Sequence, residues 1–249
     1  MKDYRKEEAA FFEALRKDLS QKGILFFTDG IVDPESWEKT KVKCLFLLKE
    51  PVGDPNKDKG FSLTSFLYND KAERDKDKTW KNVARWMYSI LTTEEHLPYK
   101  TKVKPVGDTP ELRKEYLKYI TVVNLKKQPG GSTTRTEELK KQFEKYYAEW
   151  LPQQLRIYDN ADIIVCCGKG VVDCLTMKCV FCETFGESYD EANWRWYEYP
   201  GTYKAKIRYY RLKKGLVIID FWHPSARIAG EKKNNVFKNM VKELIQYHT

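Results

Sequence analysis

The chain alternates between short, continuous apolar runs and longer segments in which apolar residues recur at helical spacing. The apolar runs lie at Val42–Leu48, Tyr119–Val123, Asp162–Cys167 and Leu216–Ile219. Such runs, without polar alternation, are typical of parallel strands buried on both faces. The helical patterns lie at Phe11–Leu19, Trp80–Leu91, Leu139–Trp150 and Phe237–Ile245. Together they predict an α/β fold with a four-stranded, mainly parallel sheet that helices cover on both faces.

Turn and capping residues indicate where several of these helices begin or end. Gly23 predicts the end of the first helix, because glycine commonly follows a helix C-terminus. Thr134 and Glu137 have the spacing of a capping box, which predicts a helix start. Pro152 predicts that this helix restarts there, since proline favours the first helical position.

One segment, residues 183–212, is rich in aromatic side chains with basic residues between them. We interpret it as an insertion within a single domain that spans residues 1–249. One interpretation is a hairpin that faces DNA, because aromatic rings stack on bases and cations hold phosphates. The alternative is an antiparallel hairpin whose aromatic face packs on the domain.

Charge favours some classes of partner over others. The 249 residues include 45 Lys+Arg and 36 Asp+Glu, a formal net charge of +9. This excess favours an anionic partner, with DNA first, although a basic protein without such a partner fits the charge equally well. No run of about 18 apolar residues occurs, and the acid-containing N-terminus lacks the apolar region of a signal peptide. We therefore expect a cytoplasmic, monomeric protein that does not bind membranes.

The six cysteines raise the question of a metal site. Cys179-x-x-Cys182 has Cys174 nearby, but a structural zinc site needs a further pair or histidines, and none is close in the sequence. Cys44 and the pair Cys166–Cys167 lie inside apolar runs, which is typical of small core residues. We predict no metal and no other cofactor.

Chemically active residues stand at the ends of the predicted strands. Glu50, Asn124, Gly168 and His223-Pro224-Ser225 each lie at or just after such an end. The carboxyl ends of parallel strands share one edge of the sheet, where ligand crevices form. One Asn or His at such a position says little, but several that meet at one crevice indicate a functional site.

These strand ends, taken in order, resemble the uracil-DNA glycosylase superfamily. The matching segments are LFLLKEPVGD (45–54), KGFSL (59–63), VVNLKKQPGG (122–131), IIVCCGKG (163–170) and VIIDFWHPSAR (217–227). The resemblance implies a three-layer α/β/α sandwich around a four-stranded parallel sheet. It also implies a monofunctional DNA glycosylase, which hydrolyses the N-glycosidic bond of a flipped-out uracil or related base without a cofactor.

The resemblance also implies roles for individual residues. His223 would stabilise the departing base anion, and Glu50 would hold the attacking water and stabilise oxocarbenium charge. Asn124 would read the Watson–Crick edge of the base, because its amide offers a donor and an acceptor together. Phe61, or alternatively Phe66, would stack on the base.

The implied DNA contacts lie on two loops. The residues expected to hold phosphates are Lys126, Lys127, Gly130, Gly131, Ser132 and Ser225. Arg227 stands where the family inserts a wedge into the duplex. The expected partners are therefore DNA and, in the cleft, a small-molecule base or nucleotide.

Three features depart from the family pattern. Lys49 stands where the family has a small or polar residue, and its charge could form a salt bridge with Glu50 or lower the pKa of that acid. Val52 replaces the tyrosine that excludes thymine in the classical branch, so discrimination between uracil and thymine stays open. The cysteines of the iron–sulfur branches are missing here, which is why we predict no cluster.

Each site residue also has a structural alternative. Glu50 could be a loop acid paired with Lys49, and Asn124 could cap the following turn. Phe61 could belong to the core, and His223 could bond backbone in a tight turn. For the whole protein, the alternative is a relative with the same fold that binds nucleic acid or a nucleotide without cleaving it.

Overall fold

The computed structural model describes residues 2–53, 60–69, 78–92, 110–130, 135–199, 206–227 and 230–246. The helices in these ranges are α1 (Tyr4–Gln21), α2 (Pro34–Lys39), α3 (Leu63–Asn69), α4 (Lys78–Thr92), α5 (Pro110–Leu117), α6 (Thr136–Tyr146), α7 (Trp150–Ile157), α8 (Val171–Leu175), α9 (Lys178–Phe185) and α10 (Gly230–Gln246). The strands are β1 (Gly30–Ile31), β2 (Cys44–Leu48), β3 (Ile120–Asn124), β4 (Ile163–Cys167), β5 (Arg195–Glu198), β6 (Lys206–Arg211) and β7 (Val217–Phe221).

The four predicted apolar runs form the parallel centre of a larger mixed sheet. Among the described residues the sheet has seven strands in the order β1-β3-β2-β4-β7-β6-β5. Strands β3, β2, β4 and β7 pair in parallel, as their uninterrupted apolar sequences predict. The prediction of only four strands is wrong, because β1, β6 and β5 extend the sheet by antiparallel pairing. A strand as short as β1 shows no periodicity in the sequence.

Alternate residues of the central strands enter two different cores. In β2, Leu45 and Leu47 belong to one core, whereas Phe46 and Leu48 belong to the other. Helices α1, α2 and α6 to α9 contribute to the first core, and α3, α4, α5 and α10 contribute to the second. Burying one such side chain is worth about 1.5–3 kcal/mol. Helices therefore cover both faces of the sheet, which explains why the central strands carry no polar alternation.

The aromatic segment adds an antiparallel pair of strands to the edge of the sheet. Strand β5 pairs with β6, and β6 pairs with β7. Trp194, Tyr197 and Tyr210 are buried, so the interpretation that aromatic residues of this segment pack on the domain is confirmed for these three. Trp196 is 61% exposed, and a contact between this segment and DNA stays a prediction.

The helix boundaries agree only partly with the sequence signals. Gly23 follows α1 with a φ of 67°, as its predicted role at the helix end requires. Helix α6 begins at Thr136, and Arg135 before it makes no side-chain cap; Thr134 lies outside the described residues, and the predicted capping box with it. Pro152 is the third residue of α7 rather than the first. The carbonyl of Tyr147 already accepts the first two amides of α7, so that helix needs no proline at its start.

The described residues also bear on membranes and metals. None of their helices combines the length and apolarity that crossing a bilayer requires. They contain no group of three or more His, Cys, Asp or Glu side chains placed to hold a metal ion. Cys44, Cys166 and Cys167 are fully buried, which confirms them as small core residues.

Candidate functional site

A cleft of about 500 Å³ lies at the carboxyl edge of the central strands. In the sheet, β3 lies on one side of β2, whereas β4 and β7 lie on the other side, so the connections after β2 and β4 leave in opposite directions. Loops that diverge in this way leave a crevice between them. Leu48 of β2 pairs with Asn124 of β3, so these two strands end at the same level. The four residues predicted for catalysis and base binding all line this cleft: Glu50, Phe61, Asn124 and His223.

The wall beside Phe61 is aromatic. The ring of Phe61 lies 4.8 Å from Phe27 and 5.7 Å from Phe66, measured between centroids, and both neighbours also line the cleft. The Phe61 carbonyl accepts the amide of Thr28 at 3.1 Å, which fixes the segment in place. Phe61 is half-buried, so it packs against core residues while it lines the cleft. Val52, at the rim, is 73% exposed.

Glu50 forms an ion pair inside the protein. Its Oε2 lies 2.7 Å from Nζ of Lys126, and the two side chains are only 5% and 10% exposed. The alternative of a pair with Lys49 is wrong, because Lys49 extends toward Gly168: a Cβ on that glycine would lie 3.7 Å from Lys49 Cε. The predicted phosphate contact of Lys126 is also corrected, since its ammonium is turned inward and bonded to Glu50.

Gly130 closes the loop over the Glu50 carboxylate. Its amide donates to the carbonyl of Pro51 at 2.9 Å, so that amide is not available for the phosphate contact we predicted. A Cβ at this position would lie 2.2 Å from the Glu50 carboxyl carbon. A side chain here would force the carboxylate to shift, and its ion pair with Lys126 opposes that shift. Gly131 and Ser132 lie outside the described residues, and their predicted roles with them.

Asn124 is held by an acid that the sequence patterns did not single out. The backbone amide and Nδ2 of Asn124 donate to Oδ2 of Asp29 at 2.7 and 3.1 Å. Both residues are buried, and Oδ1 of Asn124 has no hydrogen-bond partner among the described residues. The side chain is therefore bonded to Asp29 and does not cap the following turn, contrary to that alternative.

Lys127 completes this buried cluster instead of facing DNA. Its Nζ donates to both oxygens of Asp29, at 2.7 and 2.9 Å, and to the Asn124 carbonyl at 2.8 Å. Gln154 donates to the same carboxylate at 2.7 Å. Burial lowers the pKa of Lys127, while the carboxylate of Asp29 acts in the opposite direction. The predicted phosphate contact of Lys127 is wrong, because the whole side chain is buried.

His223 is held in a tight turn, and this fixes which ring nitrogen carries the proton. Nδ1 accepts the backbone amide of Ser225 at 3.2 Å and lies 2.8 Å from the Ser225 hydroxyl. A backbone amide can only donate, so in the neutral imidazole the proton resides on Nε2. His223 therefore makes the hydrogen bond within the turn that we gave as the alternative to a catalytic role, and it also lines the cleft.

Two buried side chains, from helices α4 and α10, donate hydrogen bonds to the turn that carries His223. Asn82 of α4 donates to the Pro224 carbonyl at 2.8 Å. Lys233 of α10 donates to the same carbonyl and, at 3.2 Å, to the carbonyl of Ala226. Burial lowers the pKa of Lys233 to about 8. Sequence patterns gave no sign of either role, since Asn82 lies 142 residues before Pro224, and Lys233, nine residues after it, lies inside a helix whose apolar spacing says nothing about its polar contacts.

The remaining predicted DNA contacts lie at the surface. Ser225 and Arg227 are exposed, and their roles at DNA stay predictions. The cleft is lined by aromatic rings and by the side chains of Glu50, Asn124 and His223. These groups suit a flat heterocycle that carries both N–H and carbonyl groups. The chain matches no protein-family model and no curated protein.

Proposed function

We propose that this protein is a monofunctional DNA glycosylase with a uracil-DNA glycosylase-like fold. It hydrolyses the N-glycosidic bond of a flipped-out uracil or a related base. The observation that carries the proposal is the convergence of Glu50, Phe61, Asn124 and His223 on one cleft. These residues come from four separate segments of the chain, and each matches a role that the ordered motifs imply.

Recognition of the base uses the aromatic wall and the amide of Asn124. Stacking of a base on Phe61 contributes about 1–3 kcal/mol. Oδ1 of Asn124, which has no partner among the described residues, accepts a ring N–H of the base. A flipped base satisfies this buried oxygen in a way that an apolar ligand does not.

Bond cleavage uses His223 and Glu50. The Nε2–H of His223 donates to a carbonyl oxygen of the base, where negative charge develops as the bond breaks. A fixed donor of this kind lowers a barrier by about 3–4 kcal/mol. Glu50 holds the attacking water and stabilises the positive charge on the sugar, and its bond to Lys126 keeps the carboxylate in place. Water supplies the hydroxyl group to C1′, and its remaining proton goes to the released base.

DNA is the partner that the formal charge of +9 supports. Lys126, Lys127 and the amide of Gly130 are bonded inside the protein. Among the described residues, Ser225 therefore remains as the predicted phosphate contact and Arg227 as the predicted wedge. Both lie on the exposed turn that follows His223. A base that enters the cleft therefore passes beside this turn.

The test is single-turnover release of free base from single- and double-stranded oligonucleotides that contain uracil, hypoxanthine, xanthine or a thymine mismatch. We expect release of at least one base, slowed about 10²–10³-fold in Asn124→Ala, His223→Ala and Glu50→Gln. Glu35→Gln is the control, because that acid is exposed on α2 and lies outside the cleft. No release by the wild type from any of these substrates overturns the proposal.

A second candidate is a nucleic-acid- or nucleotide-binding protein that does not cleave its ligand. The buried ion pair favours it, because Lys126 already occupies an oxygen of the carboxylate that would hold water. This candidate predicts salt-sensitive binding of DNA, the same affinity after Glu50→Gln, and no release of base. Loss of activity in Glu50→Gln, with binding unchanged, decides for the glycosylase.

A further inference from the structure

Asp29 lies on the segment before β1, outside every motif that identifies the cleft. It is 3% exposed and 95 residues away from Asn124 in the sequence. Its carboxylate nevertheless accepts two bonds from Asn124, one from the backbone amide and one from Nδ2. The acid therefore contacts the residue that reads the base.

We propose that Asp29, held by Lys127 and Gln154, is a positioning residue that fixes the amide of Asn124 and so limits the cleft to bases with a ring N–H. The inference rests on the proposed function, since it concerns the same cleft. It assigns the choice of base to a residue behind the cleft rather than to one that touches the base.

The first step is the orientation of the amide. A carboxylate surrounded only by donors accepts every bond it makes, and all the partners of Asp29 that the structure shows are donors: two from Asn124, Lys127 Nζ and Gln154 Nε2. Nδ2 of Asn124 must therefore face Asp29. Oδ1 then lies on the other side of the amide, and the amide cannot turn over without placing an oxygen against the carboxylate.

The second step is the charge that makes this arrangement stable. An isolated carboxylate in a protein interior is costly, and it stays ionised only when it is paired and hydrogen-bonded. Lys127 lies within 2.9 Å of both Asp29 oxygens, and its side chain is 4% exposed. Lys127 also donates to the Asn124 carbonyl, so one ammonium ties the acid to the backbone of the residue that the acid orients.

The third step is the consequence for the ligand. Uracil, thymine and hypoxanthine present a ring N–H beside a carbonyl, whereas cytosine and adenine present a bare ring nitrogen at the corresponding position. The fixed Oδ1 accepts the N–H of the first group and repels the lone pair of the second. A site built around such a bond rejects a ligand that lacks it, because the buried polar atom is then left unpaired.

The test compares uracil with cytosine in the full chain, using two readouts. One is the affinity for each free base, measured by calorimetric or NMR titration, and it requires no catalysis. The other is single-turnover release from DNA that contains either base. We expect the wild type to prefer uracil by at least about tenfold in affinity and about 100-fold in release.

The decisive variants are Asp29→Ala and Asp29→Ala/Lys127→Met. An alanine at position 29 offers no side-chain acceptor, so Nδ2 of Asn124 is no longer held, and the amide can turn over and donate to the bare nitrogen of cytosine. The double variant also removes the ammonium that would otherwise lose its counter-charge, so it covers the case in which the single variant does not fold. We expect the preference for uracil to fall at least about tenfold in both readouts.

Glu8→Gln is the matched control. Glu8 is a buried carboxylate that bonds the amide of Ile31 and the hydroxyl of Tyr158, close to Asp29 but without a contact to Asn124. We expect Glu8→Gln to change the melting temperature of the protein and to leave its preference for uracil over cytosine the same as in the wild type. A structural role for Asp29 alone would lower the affinity for both bases in parallel and keep their ratio.

The outcomes separate the inference from the proposed function. If the wild type binds and releases uracil, but both Asp29 variants keep its preference, the inference is wrong and the glycosylase stands. If the wild type acts on hypoxanthine instead of uracil, hypoxanthine and adenine replace uracil and cytosine in the comparison. If the wild type binds and releases none of the tested bases, both are overturned.

Discussion

At the scale of single residues, Gly130 shows how one missing Cβ shapes the cleft. The loop lies so close to Glu50 that any side chain at this position would meet the carboxylate, at 2.2 Å for the nearest atoms. The same loop bonds back to Pro51, so the carboxylate is enclosed between its own strand end and this turn. The glycine therefore places Glu50, and not a phosphate as the sequence suggested.

We expect Gly130→Ala to destabilise the fold by about 1–3 kcal/mol, the usual cost of overpacking. Base release falls with it, because the Glu50 side chain must move. Denaturant unfolding of the variant measures the first effect and single-turnover release the second. Glu50→Ala itself destabilises the fold, because it leaves the buried ammonium of Lys126 unpaired, but in that background the clash is absent and Gly130→Ala adds little further cost. A single variant as stable as the wild type would contradict this account.

The sequence located some site residues and misplaced others for a physical reason. Glu50, Asn124 and His223 stand at strand ends, so the parallel pairing of the sheet already brings them together. Lys126 and Lys127 come after a strand end, where the turn decides whether a side chain faces solvent or the interior. Asp29 stayed invisible, because its contact with Asn124 spans 95 residues of chain.

At the scale of elements, helices α4 and α10 hold the turn that carries His223. Asn82 and Lys233 both bond the Pro224 carbonyl, and Trp86 joins the two helices by a 2.7 Å bond to Asn234. Two side-chain bonds to one carbonyl restrain the turn, which suits the proposed role of the His223 N–H. The apolar spacing of both helices was readable in the sequence, but their polar contacts to the turn were not.

The protonation of Lys233 makes the stability of the folded protein depend on pH. Its pKa is about 8 in the folded chain and 10.5 as the ordinary value. Between these values the unfolded chain binds more protons than the folded one, so this residue makes the fold more stable as pH rises. Below about pH 8 both forms hold the proton, and the cost of burying the charge is fully present.

We therefore expect the stability of the wild type, relative to Lys233→Met, to increase between pH 7 and pH 9.5. Denaturant unfolding at several pH values measures the difference. Burial lowers the pKa of Lys238 to about 8 as well, but both proteins carry that residue and its effect cancels. Asn82→Ala is the control, since it removes another bond to Pro224 without a titrating group. A difference that stays constant for Lys233→Met over this range would contradict the assignment.

At the scale of the whole molecule, the sheet decides where chemistry is possible. Four parallel strands bring their carboxyl ends to one edge, and the reversal of strand order opens a cleft there. This architecture follows from continuous apolar runs, so its centre was predictable from the sequence. The added strands β1, β5 and β6 were not, because β1 is very short and the aromatic pair had two equally good interpretations.

Part of the positive charge of the chain lies in the protein interior and not at its surface. Lys126, Lys127 and Lys233 lie in the interior, where they hold the site together. Their ammonium groups bond the carboxylates of Glu50 and Asp29 and the carbonyls of Asn124 and Pro224. The positive charge that could meet DNA must therefore come from exposed residues, of which Arg227 lies nearest in sequence to His223.

The most direct test of the central claim is a crystal structure of the protein with free uracil bound. The account predicts one uracil in the cleft of about 500 Å³, with its ring N–H on Oδ1 of Asn124 and its face on Phe61. A carbonyl oxygen of the base should face Nε2 of His223. Uracil bound elsewhere, or bound in the cleft without a bond to Asn124, would contradict the claim that this cleft reads a base.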